Sequence, residues 1–298
     1  MILNFYQSKN FGDALNPYIF KHFLPNFFDK ESDFSFVGIG SILGLRQVQE
    51  AKRKIIFSSG FAYGSIPKID SSYDIFCVRG PMTCDVLNIH KKYAISDGAI
   101  LLQFMEKAHA EKKYPFSFMP HWESALKFDW KGICHEAGIH YISPTDNYSE
   151  VIDQIKQSEV VIAEAMHAAI VADALRVPWI PVKAYGGINS FKWQDWTQSL
   201  NLAYKPQKIR PLFNNTGFTR KVIKDKTGYP FSLRTLSPLI DIYQLYQSAF
   251  VKKKVVAELL QLKLTAPYLS SDSVLKSKGE QLVEKLEDVK TKYTNSIL

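Results

Sequence analysis

Short apolar runs alternate with amphipathic segments along this chain, the pattern of β-α-β units that build a parallel sheet. Ile2–Tyr6 reads as a strand, followed by a helix over about Asp13–His22. Phe34–Ile39, Lys54–Phe57 and Asp74–Val78 read as three more strands. The last leads through Arg79-Gly80-Pro81 into a helix near Met82–Ile89, with Pro81 at a favoured first-turn position. A second set opens with Tyr114–Met119 and Ile139–Ser143, after which Asp146 or Asn147 caps a helix through Gln157. Val160–Ala163, a helix over Ala165–Leu175 and the strand Pro178–Val182 complete it. The polar segment Glu106–Lys113 separates the two sets. Further on, Leu239–Leu262 carries apolar residues at helical spacing, and Leu282, Leu286, Val289 and Tyr293 repeat as a packing face. The expected architecture is α/β: two Rossmann-like halves facing a central cleft, residues 1–110 and 111–235, with C-terminal helices within 236–298 crossing back onto the first.

Composition narrows the class. The chain has 298 residues, enough for two domains of roughly 150. At 46% hydrophobic and 22% charged it can bury a full core. No window approaches the roughly 18 uninterrupted apolar residues of a membrane span. The opening Met-Ile-Leu-Asn-Phe-Tyr-Gln lacks the basic start of a signal peptide, so the expected location is the cytoplasm. Cys77, Cys84 and Cys134 never form C-x-x-C, which excludes a disulfide scaffold and a cysteine-type zinc site. Of the net charge of +8, seven lie between Lys205 and Arg234, where eight basic residues meet one acid, Asp225. Such a stretch attracts phosphate groups or an anionic membrane surface, or simply stays solvated. Nucleic acid is disfavoured because no binding motif accompanies the charge.

Several motifs sit just beyond strand ends, where parallel sheets hold their ligands. Gly38-Ile39-Gly40-Ser41-Ile42-Leu43-Gly44 could bring backbone N–H groups to a phosphate at a helix start, or be only a tight turn. Its spacing is not G-x-G-x-x-G, and Ser58 and Ser59 stand where a ribose-binding acid would, so a nicotinamide cofactor is not expected. His135 and His140 are five apart and cannot share one helical face as zinc ligands, and Gly138 ends that helix. No metal site is expected. Asp13 is either a helix N-cap or a carboxylate facing the cleft. Arg79, at a strand end before a helix, is suited to hold a phosphate or carboxylate bidentately. His121 ends a strand and His167 starts a helix after one; together with Arg79 they suggest a shared anion site.

In order along the chain, Asn10-Phe11-Gly12-Asp13, Gly38-Ile39-Gly40-Ser41, Val78-Arg79-Gly80-Pro81 and Ser96-Asp97-Gly98-Ala99 are followed by Pro120-His121, the run Ser158–Ile170, Pro178-Trp179-Ile180-Pro181-Val182 and Phe191-Lys192-Trp193-Gln194-Asp195-Trp196. This series resembles the polysaccharide pyruvyl transferase family, in its succinoglycan-type ketal-forming branch, over roughly residues 4–200. The resemblance implies a fold similar to the B-type glycosyltransferases, with no cofactor and phosphoenolpyruvate as co-substrate. It implies transfer of the enolpyruvyl carbon onto two hydroxyls of a glycan or lipid-linked oligosaccharide, giving a cyclic ketal and phosphate. His167 and Asp13 would then be catalytic, with His167 as acid/base and Asp13 on the acceptor side. Arg79, His121 and Lys192 would clamp the donor. Gly38, Gly40, Ser41, Glu164, Trp193 and Trp196 are further candidates for phosphate or acceptor contacts, the two tryptophans as faces on which a sugar stacks or as core. Many relatives carry arginine where this chain has Ala165. Two other readings share these residues: a nucleotide-sugar glycosyltransferase of the same fold, and a catalytically inactive glycan-binding module.

Overall fold

The computed structural model describes residues 1–29, 33–106, 110–213, 245–246 and 250–294. The architecture is α/β, with two parallel sheets. In the first, β1 (Ile2–Asn4), β2 (Phe34–Val37), β3 (Arg53–Ser59) and β4 (Tyr73–Val78) lie side by side in chain order. Leu3 sits beside Phe36, Phe36 beside Ile55, and Ile56 beside Ile75. The second contains β5 (Tyr114–Met119), β6 (His140–Tyr141), β7 (Ser158–Ala163), β8 (Trp179–Lys183) and β9 (Gln207–Lys208), in the order β6-β5-β7-β8-β9. This order reverses direction at β5, the flavodoxin-like arrangement, which opens a crevice between the carboxyl ends of β5 and β7.

The helices are α1 (Phe11–Phe23), α2 (Arg46–Gln49), α3 (Pro81–Leu87), α4 (Leu102–Met105), α5 (Trp122–Ala125), α6 (Trp130–Glu136), α7 (Tyr148–Lys156), α8 (Met166–Ala174), α9 (Ser190–Ser199), α10 (Lys252–Leu262) and α11 (Asp272–Thr294), with 3-10 turns at Lys91–Tyr93 and Gly98–Leu101. Their ends follow local chemistry. Pro81 takes the first turn of α3, and Asn147 caps α7 by accepting from the Ser149 N–H at 3.0 Å. Gly138, at φ +59°, turns the chain out of α6.

Side chains alternate across both sheets with the two-residue period of a strand. Phe36, Ile55 and Phe57 of the first sheet join Met119, Val161 and Ala163 of the second in one core, filled by α1, α8, α11 and the Gly98–Leu101 turn. Val37 and Ile56 face away into a smaller core, and Phe118, Ile162 and Ile180 pack against α6 and α10 in a third. The face read in the last helix is the buried one: Leu282, Leu286, Val289 and Tyr293 all enter the shared core. The Tyr293 hydroxyl donates to Asp74 at the start of β4.

Two local expectations differ. The glycine-rich segment after β2 does not run into a helix N-terminus, because Gly40 turns at φ +135° and its carbonyl accepts from the Gly60 N–H and the Ser59 hydroxyl. The next helix, α2, spans four residues and begins at Arg46. Asp13 is not the N-cap of α1; Asn10 is, and Asp13 occupies the first turn. The first part of the helix read over Leu239–Leu262, and Arg220, Lys221, Lys224, Lys226 and Arg234 of the basic stretch, lie outside the described residues. Within that stretch, Arg210 is paired with Glu258 on α10.

Candidate active site

A cavity of about 360 Å³ opens beyond the carboxyl ends of the strands, and its polar lining comes from the loops that follow them. After β1 come Tyr6, Asn10 and Asp13; after β2, Gly40 and Ser41; after β3, Tyr63. After β5 come His121, Trp122 and Glu123; after β7, Met166 and His167; after β8, Gly187 and Lys192. Both sheets therefore supply the walls.

Asp13 turns its carboxylate to Ser8, whose hydroxyl donates at 2.6 Å, and to the Asn10 side-chain amide at 3.2 Å. Burial raises its pKa, while these hydrogen bonds and the nearby Lys192 pull it down. His167 lies in the first turn of α8 with its ring against the backbone of Gly12: a Cβ on Gly12 would fall 1.9 Å from its Nδ1. On the other side of the ring, Nε2 faces Asp97 Oδ2 at 3.8 Å, and neither atom has a hydrogen-bond partner among the described residues. The His121 backbone N–H donates to Glu164 at 3.1 Å, and Glu164 also accepts from the Ala184 N–H at 3.0 Å, fixing the ends of β5, β7 and β8 together.

Cations act on the two histidines, while Asp13 and Glu123 also line the cavity. Burial, then Arg79, pushes Lys192 down to about 8. Burial, then Lys192, pushes both His121 and His167 down to about 3, with Arg79 and His121 adding to the effect on His167. Both imidazoles are neutral near pH 7.

Residues 5–184 match the polysaccharide pyruvyl transferase family. The chain belongs to that family. Over 206 residues, 68% of this chain, it is 39% identical to the succinoglycan biosynthesis protein ExoV of Rhizobium meliloti (strain 1021), and the match spans 65% of that protein.

In this pyruvyl transferase family member, Asp13, Gly40, Ser41, His121, His167 and Lys192 meet around one cavity. The other sequence candidates stand behind it. Arg79 is fully buried and outside the lining, donating through Nε to Asp195 at 3.0 Å, through Nη2 to the Phe61 carbonyl at 3.1 Å and through Nη1 to Ser41. Gly60 makes room for it, since a Cβ there would lie 2.2 Å from the guanidinium carbon. Glu164 acts on the cavity only through the backbones it holds. Gly38 packs against Asn16 and Phe20. Trp193 and Trp196 are wholly buried against Trp179, with Tyr204 stacked on Trp193, so neither offers a sugar a face. Ala165 lies in the shared core and not in the lining.

Four features escaped the sequence reading. Asp97 lies in the quoted Ser96-Asp97-Gly98-Ala99 motif, but a carboxylate before a 3-10 turn reads first as a cap, and its Oδ1 does accept from the Ala99 N–H at 3.0 Å. Gly12 is needed for the close approach of His167. Tyr6 and Tyr63, 50% and 45% exposed, line the cavity together with Trp122. Ser58, at φ +59° beside a register shift in β3, marks strain next to the site. Among the described residues no three His, Cys, Asp or Glu side chains are grouped to hold a metal, and no helix is long and apolar enough to cross a membrane.

Proposed function

We propose that this protein transfers pyruvate from phosphoenolpyruvate onto two hydroxyls of a glycan sugar in exopolysaccharide biosynthesis, forming a cyclic ketal and releasing phosphate. The observation that carries this reading is the convergence of Lys192, His121 and His167 on one cavity in a chain of this family. The named role of ExoV in succinoglycan biosynthesis supports the same class of product. In this reading the cavity is a cleft between two halves of a B-type glycosyltransferase-like fold. Lys192 and His121 face the donor's phosphate and carboxylate, while Arg79 acts from behind through Ser41 and through its charge. The acceptor lies across Tyr6, Tyr63 and Trp122, whose rings suit the apolar face of a sugar.

Protonation of C3, turning CH2 into CH3, accompanies attack of the first hydroxyl on C2 of phosphoenolpyruvate, and His167 serves these proton transfers as acid/base. Phosphate then leaves C2, the second hydroxyl bonds there, and its proton passes through His167 to the departing phosphate. Asp13 orients an acceptor hydroxyl. No cofactor enters this scheme. The enzyme would work in the cytoplasm, with the basic stretch 205–234 against the anionic inner face of the membrane or the pyrophosphate of a lipid-linked acceptor.

The deciding experiment is a phosphate-release screen with phosphoenolpyruvate against defined glycans and lipid-linked oligosaccharides, with thermal shifts alongside. Stabilisation by phosphoenolpyruvate and acceptor-dependent phosphate release are expected. Stabilisation by nucleotide sugars alone would point to glycosyl transfer, and no phosphate release with any acceptor to a binding module.

A further inference from the structure

Behind His167, away from the cavity, lies a buried carboxylate that the proposed chemistry has not yet used. Asp97 is fully buried at the head of the Gly98–Leu101 turn. Its Oδ1 is satisfied by the Ala99 N–H, but its Oδ2 has no hydrogen-bond partner among the described residues. The nearest potentially cationic atom among the described residues is His167 Nε2, at 3.8 Å, equally buried and equally unpartnered. Two unsatisfied buried atoms of complementary type thus face each other just beyond hydrogen-bonding distance. Catalytic contacts are often long in the free enzyme and tighten when substrate binds.

We infer that Asp97 is the positioning residue of His167. Its carboxylate takes the Nε2–H, which fixes the tautomer whose Nδ1 is the free base, and it stabilises the imidazolium formed when that base accepts a proton. Gly12 packs beside Nδ1, and its lack of a side chain leaves that nitrogen room toward the cavity. The charged groups around the pair are known: Lys192 of α9, Arg79 after β4 and His121 after β5 bear on His167, and Arg79 and Asp195 bear on Asp97. The inference deepens the proposed pyruvyl transfer and rests on it for its catalytic half, while the pairing itself stands on geometry.

The test is Asp97→Asn, which keeps the shape and the cap to Ala99 but can turn an amide donor toward Nε2. Ring ¹⁵N NMR of histidine-labelled protein, with His167 assigned by its loss in His167→Gln, reads the tautomer without substrate. The expected result is Nε2–H in the parent and a shift toward Nδ1–H in Asp97→Asn. With phosphoenolpyruvate and acceptor, kcat should fall by roughly 10²–10⁴-fold with little change in KM for the donor. An Nδ1–H tautomer in the parent, or unchanged His167 signals in the variant, overturns the pairing. A shifted tautomer with unchanged kcat overturns the positioning role. If the signals shift but the parent releases no phosphate from phosphoenolpyruvate, the pairing stands and the proposed reaction falls. Should Asp97→Asn not fold, the tautomer of the parent still decides, and Asp97→Ser, with a hydroxyl cap and no charge, replaces it.

Discussion

His167 meets the cavity on one edge, Gly12 beside Nδ1 and Asp97 behind, and each contact makes its own demand on the sequence. Replacing His167 by Gln should lower kcat by roughly 10²–10⁴-fold while circular dichroism and melting stay close to the parent. Unchanged turnover and pH profile would make it a packing residue. Gly12→Ala should cost at least roughly tenfold in kcat, since even a methyl group must push the imidazole aside, and a crystal structure of that variant should show the ring rotated. Asp13, His121 and His167 were legible from one rule, that loops after parallel strands face the ligand, whereas Lys192 came from the family resemblance. Arg79 obeys the same rule and yet stands behind the lining, because Asp195, 116 positions further on, claims its guanidinium. Nothing local to Val78-Arg79-Gly80-Pro81 announces that partner. Trp193 and Trp196 were open to two readings for a related reason: an aromatic pair beside a cationic residue looks the same whether the helix turns it out or in.

At the scale of elements, α9 is the piece that joins site to scaffold. It carries Lys192 into the cavity, while Asp195 on the same helix accepts from Arg79 and from the Thr83 N–H and hydroxyl of α3. Gly80 allows this approach, because a Cβ there would lie 1.9 Å from the Asp195 carbonyl oxygen. Asp195→Ala should destabilise the fold by about 3–5 kcal/mol, since it leaves a buried guanidinium uncompensated. Chemical denaturation measures this, and a loss below about 1 kcal/mol would show that Arg79 finds other partners. In α11, Leu286→Ala should cost about 2–5 kcal/mol as a cavity opens in the shared core. Periodicity read the main strands and the last helix correctly because each has a buried face of the right period, whereas Tyr246 and Phe250, part of the spacing read over Leu239–Leu262, are exposed. It misread the turn after β2, where a positive φ at Gly40 and bonds to Ser59 and Gly60 outweigh the usual strand-to-helix pattern.

For the whole molecule, charge and proton binding are linked. The folded pKa values of His121 and His167 lie below the ordinary 6.5, so between about 3 and 6.5 the unfolded chain binds more protons than the folded one. Their contribution to stability is complete above pH 6.5 and is lost as the pH falls toward 3. Asp97, raised by burial to about 6, works in the opposite direction over the upper part of that range. An anion in the cavity should raise Lys192, held at about 8 in the free protein, so its binding should take up protons. Sulfate, whose charge is fixed, isolates the effect: its affinity should rise from pH 9 to pH 7, with proton uptake by calorimetry in buffers of different ionisation enthalpy. Affinity flat with pH would mean that the anion does not meet Lys192. The basic stretch makes a separate demand. Changing Lys221, Lys224 and Lys226 to Glu should abolish flotation with anionic liposomes and spare turnover on a short soluble acceptor; flotation equal to the parent would leave the stretch a solvated surface.

One continuous core runs beneath both sheets, with Phe57 from one side and Ala163 from the other in the same packing. Two bodies that share their interior cannot swing apart like a jaw without exposing it to water, and close-packed interiors resist such sliding. The cavity is then less a mouth that shuts on its substrates than a mould of set width. Scattering profiles with and without donor should superimpose. In the proposed reaction, a broader range of acceptor sugars would come from reshaping the rim at Tyr6, Tyr63 and Trp122 and not from loosening a hinge.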